Sequence, residues 1–146
     1  MIDYLQKFRL DSKTAYIVGG LGLIGREVSI ALASSGAKTI VLDLDSEKGQ
    51  SFEKEMHHKG FDVIFRTFDC ANLEQIDQNF SERLNEYGSL DVFINCSYPR
   101  TEDFGQSSFS NITFKSFREN VDVHMNSYAW LARLAAEAMV TAGNGG

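Results

Sequence analysis

Short apolar runs alternate along the chain with longer stretches in which apolar positions recur every three or four residues. "TAYIV" (14–18), "KTIVLD" (38–43), "DVIFRTF" (62–68) and "LDVFINC" (90–96) read as strands. The segments 23–36, 46–60, 72–88 and about 113–141 read as helices. In the first helix Ile24, Val28, Ala31 and Leu32 fall at helical spacing, and Gly36 stops it. The second carries a mostly charged outer face and ends at Gly60. The third aligns Leu73, Ile76, Phe80, Leu84 and Tyr87, with Asn72 as its expected N-cap. The fourth aligns Phe117, Val121, Met125, Tyr128, Ala132, Ala135 and Met139, while Val123, Trp130, Leu131, Leu134 and Ala138 populate other faces. A helix apolar over so much of its circumference is expected to bury more than one side. Near-continuously apolar strands alternating with helices predict an α/β fold, with a doubly wound parallel sheet covered on both faces. Right-handed crossovers predict strand order 3-2-1-4. Residues 1–146 form one expected dinucleotide-binding domain, with no linker or internal repeat beyond the βα unit.

The handover from the first strand to the first helix holds four glycines, Gly19, Gly20, Gly22 and Gly25. Gly19, Gly22 and Gly25 fit G-x-x-G-x-x-G, and Gly20, Gly22 and Gly25 fit G-x-G-x-x-G. Without Cβ atoms the backbone turns tightly, admits a pyrophosphate and lets the helix pack close to the strand. The N–H groups of the opening helix turn then face the phosphates. Asp43, eighteen positions after Gly25, closes the next strand. A carboxylate there accepts hydrogen bonds from both hydroxyls of an adenosine ribose and repels a 2′-phosphate. No Lys or Arg directly follows it ("DLDSEK"), so NAD is expected over NADP. The alternative role for Asp43 is to cap the next helix, which Asp45 or Ser46 could do equally well.

Composition narrows the function. A net charge of −6 with scattered Lys and Arg gives no basic face for nucleic acid or an anionic membrane. No apolar run approaches the ~20 residues a bilayer span needs. Cys70 and Cys96 match no metal spacing and, with a start that does not resemble a signal peptide, suggest a reduced cytoplasmic compartment. His57 and His58 lie on the charged helix and read as solvated; no metal site is expected. Cys96 reads as a small residue at a strand end, and His124, two positions from Asn126 and on another face, as structural or interfacial.

With these residues in view, the chain resembles the short-chain dehydrogenase/reductase family, N-terminal portion, over essentially its whole length. "FDCANLEQI" (68–76) is similar to the family's Asp-containing segment after the third strand, which implies that Asp69 meets the adenine amino group. "LDVFINCSY" (90–98) is similar to the fourth strand and the Asn-Asn-Ala-Gly motif after it. "FRENVDVHMNSYAWLARLAAEAM" (117–139) is similar to the helix bearing the family's catalytic asparagine, here Asn126. The resemblance implies cofactor contacts from Gly19, Gly22, Leu23, Ile24, Gly25, Asp43, Asp69, Cys70, Asn95, Cys96 and Ser97. It also implies hydride transfer between the nicotinamide and an alcohol or carbonyl carbon of a small-molecule substrate. "YPRTEDFG" (98–105) is similar to bacterial members acting on sugars of surface polysaccharides, which implies a sugar derivative.

Several positions depart from the family pattern. Val18 stands for the Thr and Leu23 for the middle Gly of the standard-length branch, while the loop fits the extended branch of sugar-nucleotide epimerases and dehydratases. Asn95-Cys96-Ser97-Tyr98 keeps only the first residue of Asn-Asn-Ala-Gly, and Tyr98 brings a ring where the family has glycine. The family's Tyr-x-x-x-Lys places both side chains on one helix face. Four residues after Tyr4, Tyr16, Tyr87, Tyr98 and Tyr128 come Phe8, Gly20, Asp91, Glu102 and Ala132, so no such pair occurs. The chain reaches Gly145-Gly146 where family members enter a fifth strand bearing a catalytic serine. The expectation is therefore the cofactor-binding portion of a longer enzyme, which binds NAD weakly or not at all and turns nothing over. The remaining alternatives are an extended-branch epimerase or dehydratase and a non-catalytic dinucleotide-binding module. One apolar side of the last helix is expected to cover the sheet; another would meet a partner subunit, as in the family's helix-bundle interfaces, giving a homo-oligomer of the full-length protein, or else the C-terminal part of that protein.

Overall fold

The computed structural model describes residues 4–143. Residues 1–3 and 144–146, including the Gly145-Gly146 where a fifth strand was expected to begin, lie outside the described residues. After a short 3-10 turn (Tyr4–Phe8) come β1 (Thr14–Val18), α1 (Leu23–Ser34), β2 (Lys38–Asp43) and α2 (Ser46–His58). There follow β3 (Val63–Thr67), α3 (Ile76–Tyr87), β4 (Val92–Asn95) and α4 (Phe114–Thr141). The four strands are all parallel, in the order β3-β2-β1-β4, the doubly wound arrangement expected of the alternation.

Side-chain alternation along the strands sorts the core into two faces. Tyr16, Val18, Ile40 and Leu42 point to the side covered by α3 and α4, against Phe80, Leu131 and Ala135. Ala15, Ile17 and Val41 point to the side covered by α1 and α2: Val41 packs with Ala33, Phe52 and Met56, and Ala15 and Ile17 with Val28 and Leu32. Every residue of β1 is buried, because that strand has neighbours on both edges and helices on both faces. Tyr16 is wholly buried; its hydroxyl donates to the Gly88 carbonyl at 3.0 Å, and burial pushes its pKa up to about 12.

Two helix faces and one helix cap differ in part from the sequence expectation. The inward face of α1 is Gly25, Ser29 and Ala33. Small residues at i, i+4 and i+8 bring this helix close to the sheet, and Ile24 is left 73% exposed. Asn72 does not cap α3, which starts four residues later: residues 72–75 form a turn, and Asn72 Nδ2 donates to Gln75 Oε1. On α4 the buried line is Ser127, Leu131 and Ala135, while Phe117, Val121 and Met125 stay exposed. Polar Ser127 can hold the central place because its hydroxyl bonds back to the His124 carbonyl at 3.2 Å. Two caps are made by side chains: Asp45 accepts from Lys48 N at the start of α2, and Thr113 from Ser116 N at the start of α4.

Asp91 ties the start of β4 to the start of β1. Its carboxylate accepts from Lys13 Nζ and from Thr14 N, each at 2.9 Å. Burial alone would raise its pKa; the lysine and the amide outweigh that and hold it below the ordinary value. Asp91→Ala is expected to cost about 1.5–3 kcal/mol at neutral pH, the range for hydrogen bonds to a charged group. Because the folded carboxyl's pKa is depressed, this stabilisation is complete above the unfolded value and is lost as pH falls through the folded one. Thermal melts of the two proteins should therefore converge in acid; a gap that widens there would refute the assignment.

Candidate functional site

Register brings β1, β2 and β4 to one line at their C-terminal ends, with Val18 opposite both Leu42 and Asn95. The strand order reverses between β1 and β4, and a crevice opens there. It is a cleft of about 670 Å³ lined by Gly19, Gly22, Leu23, Ile24, Asp43, Asp69, Cys70, Cys96 and Ser97 among others. The structure thus gathers nine of the eleven expected cofactor residues around one opening. Gly25 and Asn95 support it from behind.

The glycine turn is fixed by contact. Gly19 has φ +74°, and a Cβ there would meet Ser97 Cα at 2.5 Å. A Cβ on Gly25 would lie 2.1 Å from the Gly19 carbonyl oxygen. Gly19 N donates to Leu42 O at 2.8 Å, pinning the turn to β2. Gly22 is the N-cap residue of α1 and offers no side-chain cap. The N–H groups of Leu23, Ile24 and Gly25 in the first helical turn have no carbonyl one turn back to bond. They are the donors a diphosphate requires.

Asp43 is turned into the cleft and also braces it. One carboxylate oxygen accepts from Leu21 N at 2.9 Å and the other from Leu44 N at 2.8 Å. Asp45, not Asp43, caps α2. Two cations at this side of the molecule are already paired: Lys48 Nζ, which lines the cleft, with Asp45 at 3.2 Å, and Arg26 with Glu55 at 2.7 Å; Arg100, which also lines the cleft, lies over the Phe104 ring. Arg26 also lies over the Phe52 ring. Asp69 accepts from Ala71 N at 2.8 Å, which curls the chain after β3 around the cleft wall. Burial raises the pKa of the Cys70 and Cys96 thiols, so neither is activated as a nucleophile.

At the end of β4, Asn95 Oδ1 accepts from Ser97 N at 2.9 Å and Ser97 Oγ at 2.6 Å. Its Nδ2 is buried with no partner. The Tyr128 hydroxyl donates to the Ser97 carbonyl at 2.6 Å, clamping this turn to α4. Tyr98, Pro99 and Arg100 also line the cleft. Of these, Tyr98 could be foreseen as a departure in the motif; the Tyr128 clamp, 31 residues away in sequence, had no local signal. Asn126 is not brought to the cleft: it is exposed, one position before buried Ser127. Among the described residues no cluster of His, Cys, Asp or Glu could hold a metal, and no helix is long and apolar enough to cross a membrane.

A parallel 3-2-1-4 sheet with a glycine turn at its switch point defines the Rossmann-type α/β class. The sequence model described as short chain dehydrogenase matches residues 13–146, and the chain belongs to that family of oxidoreductases, which use nicotinamide dinucleotides. It is 26% identical over 137 residues to a 7alpha-hydroxysteroid dehydrogenase of Bacteroides fragilis, covering 94% of this chain and 52% of that protein. It is 27% identical over 142 residues to a galactitol 2-dehydrogenase of Rhizobium johnstonii, covering 96% and 53%. A gluconate 5-dehydrogenase of Burkholderia cenocepacia J2315, in complex with NADP and tartrate, superposes with a TM-score of 0.81 at 23% identity, covering 97% of this chain and 54% of that one. The chain spans about half the length of the curated relatives it matches.

Proposed function

We propose that this chain carries the cofactor-binding half of an NAD-dependent oxidoreductase that moves hydride between a nicotinamide and an alcohol or carbonyl carbon, with a sugar derivative as substrate. The carrying observation is the pairing of a glycine-shaped cradle with the Asp43 carboxylate at the same opening. In this reading Gly19, Gly22 and Gly25, with the backbone of Leu23 and Ile24, hold the diphosphate. Asp43 accepts the adenosine ribose hydroxyls, Asp69 and Cys70 flank the adenine, and Asn95, Cys96 and Ser97 wall the nicotinamide end. NAD is favoured over NADP because Asp43 opposes a 2′-phosphate while Arg26 and Lys48 are committed to Glu55 and Asp45. The relative named for galactitol favours a polyhydroxylated substrate. The bound cofactor would supply the hydride acceptor; the chain's own part is to bind and orient it. Without a Tyr-x-x-x-Lys pair these residues are expected to bind dinucleotide weakly and turn nothing over. The exposed Phe117, Val121 and Met125 on α4 are the surface through which the full-length protein would self-associate.

Titration of NAD and NADP into the chain, read by amide shifts of Gly19 to Gly25, tests the reading. NAD is expected to bind more tightly, and Asp43→Ser to narrow the gap. Tighter NADP binding by the unaltered chain would overturn the role of Asp43, and no shift with either at saturating concentration would overturn the cofactor site itself.

A further inference from the structure

His124 stands one ring behind the cleft. Its imidazole packs on Tyr98, a lining residue, at 4.5 Å between ring centres, and edge-on against Tyr128 at 5.6 Å. Tyr128 in turn holds the Ser97 carbonyl, so His124 touches both residues that place the turn after β4. His124 Nδ1 lies 2.7 Å from the Asn120 carbonyl oxygen, which can only accept. The Nδ1 atom therefore carries the proton, and in the neutral ring Nε2 presents a lone pair. That Nε2 is buried and meets no hydrogen-bond partner among the described residues. A buried acceptor left unbonded costs free energy that a core position would ordinarily avoid by using an apolar ring. Phenylalanine would make the same ring contacts without that cost. The imidazole is thus explained by a donor that comes from outside the described residues. Tyr98 lines the cleft and packs on the His124 ring; it is 57% exposed and is held by ring contacts to Phe104 and His124, with no hydrogen bond from its hydroxyl among the described residues. It can turn aside when the cleft fills.

We propose that His124 is a ligand-binding residue of α4 at the nicotinamide end of the cleft, its Nε2 accepting a hydrogen bond from a hydroxyl of the bound dinucleotide or of a polyol substrate. This rests on the dinucleotide reading of the cleft. It gives α4 a polar contact from the helix face that the structure turns inward, whereas the face carrying Asn126 is turned outward.

The test uses the 146-residue chain with 15N-labelled histidine. The ring nitrogens of His57, His58 and His124 are followed at alkaline pH while NAD is added, and then galactitol; the Gly19 to Gly25 amides report dinucleotide binding independently. The His124 Nε2 resonance is expected to move towards that of a hydrogen-bonded acceptor while the exposed His57 and His58 stay fixed. Movement with NAD alone assigns the donor to the dinucleotide; movement only after galactitol assigns it to the substrate. Glycine amides that shift while His124 does not would overturn this proposal and leave the cofactor site standing; no shift anywhere overturns both. Variants supply the second readout. His124→Phe keeps the ring and removes the acceptor, and should weaken binding of the same ligand about 2- to 10-fold, as for one neutral hydrogen bond. His124→Gln places a carbonyl oxygen near the Nε2 position and should recover most of that loss. A purely packing histidine gives the reverse order, with Phe tolerated and Gln damaging.

Discussion

Gly25→Ala is expected to weaken dinucleotide binding by at least about 10- to 100-fold, the equivalent of one charge-assisted hydrogen bond lost from the phosphate cradle. The reason is steric. The new Cβ would fall 2.1 Å from the Gly19 carbonyl oxygen, and the opposing atoms are backbone, so no side chain can swing away. Either α1 lifts from the sheet or the turn at Gly19 opens. The first loosens the close seat of Gly25, Ser29 and Ala33. The second breaks the Gly19 N to Leu42 O bond. Both displace the N–H groups of Leu23 and Ile24 from the diphosphate. Overpacking of this kind also costs about 1–3 kcal/mol of stability, so melting should be recorded beside the titration. Binding that survives in a folded Gly25→Ala protein would show that the cradle is not where the phosphates sit.

Phe80→Ala is expected to cost about 3–5 kcal/mol, a large share of the total stability of a domain this size. Phe80 is wholly buried on α3 and meets three other rings: Phe93 at 5.8 Å, Tyr16 at 6.3 Å and Phe68 at 6.4 Å between centres. Those rings come from β4, β1 and the segment after β3, so one side chain fastens α3 across the sheet. A well-packed aromatic cluster cannot collapse around the cavity, which puts the cost at the upper end. Urea unfolding measures it, and a loss under about 1 kcal/mol would mean the cluster repacks freely.

The strands and their order were legible because a doubly covered parallel sheet demands runs such as "TAYIV" and "KTIVLD" that no other element tolerates. The glycine turn was legible for a related reason: Gly19 and Gly25 occupy places where a Cβ has no room. Helix faces were read less well. The periodicity rule weighs large apolar residues, so it chose Ile24, Val28, Ala31 and Leu32 for α1; Val28 and Leu32 do pack on the core, but Ile24 and Ala31 are exposed and the fully buried line is Gly25, Ser29 and Ala33. On α4 the same rule chose the line Phe117, Val121, Met125, Tyr128, Ala132, Ala135 and Met139; Ala135 is buried and Met139 packs on the core, but Phe117, Val121 and Met125 are exposed and Ser127 and Leu131 take the central buried places. Tertiary contact decided between two apolar faces that sequence alone weighs equally. Asn72 was a plausible cap by composition, but its side chain pairs with Gln75, and the turn before α3 delays the helix to Ile76. The clustering of Tyr98, His124 and Tyr128 joins a loop to a helix, and no spacing rule announces such a contact.

Asp43 grips the Leu21 amide before any ligand arrives. The conformational entropy of the glycine-rich turn is thereby surrendered during folding and not at the moment of recognition, and a pre-organised receptor of this kind loses less affinity to ordering. Selectivity and rigidity are consequently coupled in a single carboxylate. Any substitution that retunes which dinucleotide is accepted must also replace the brace, or the turn will relax and affinity for both forms will fall together.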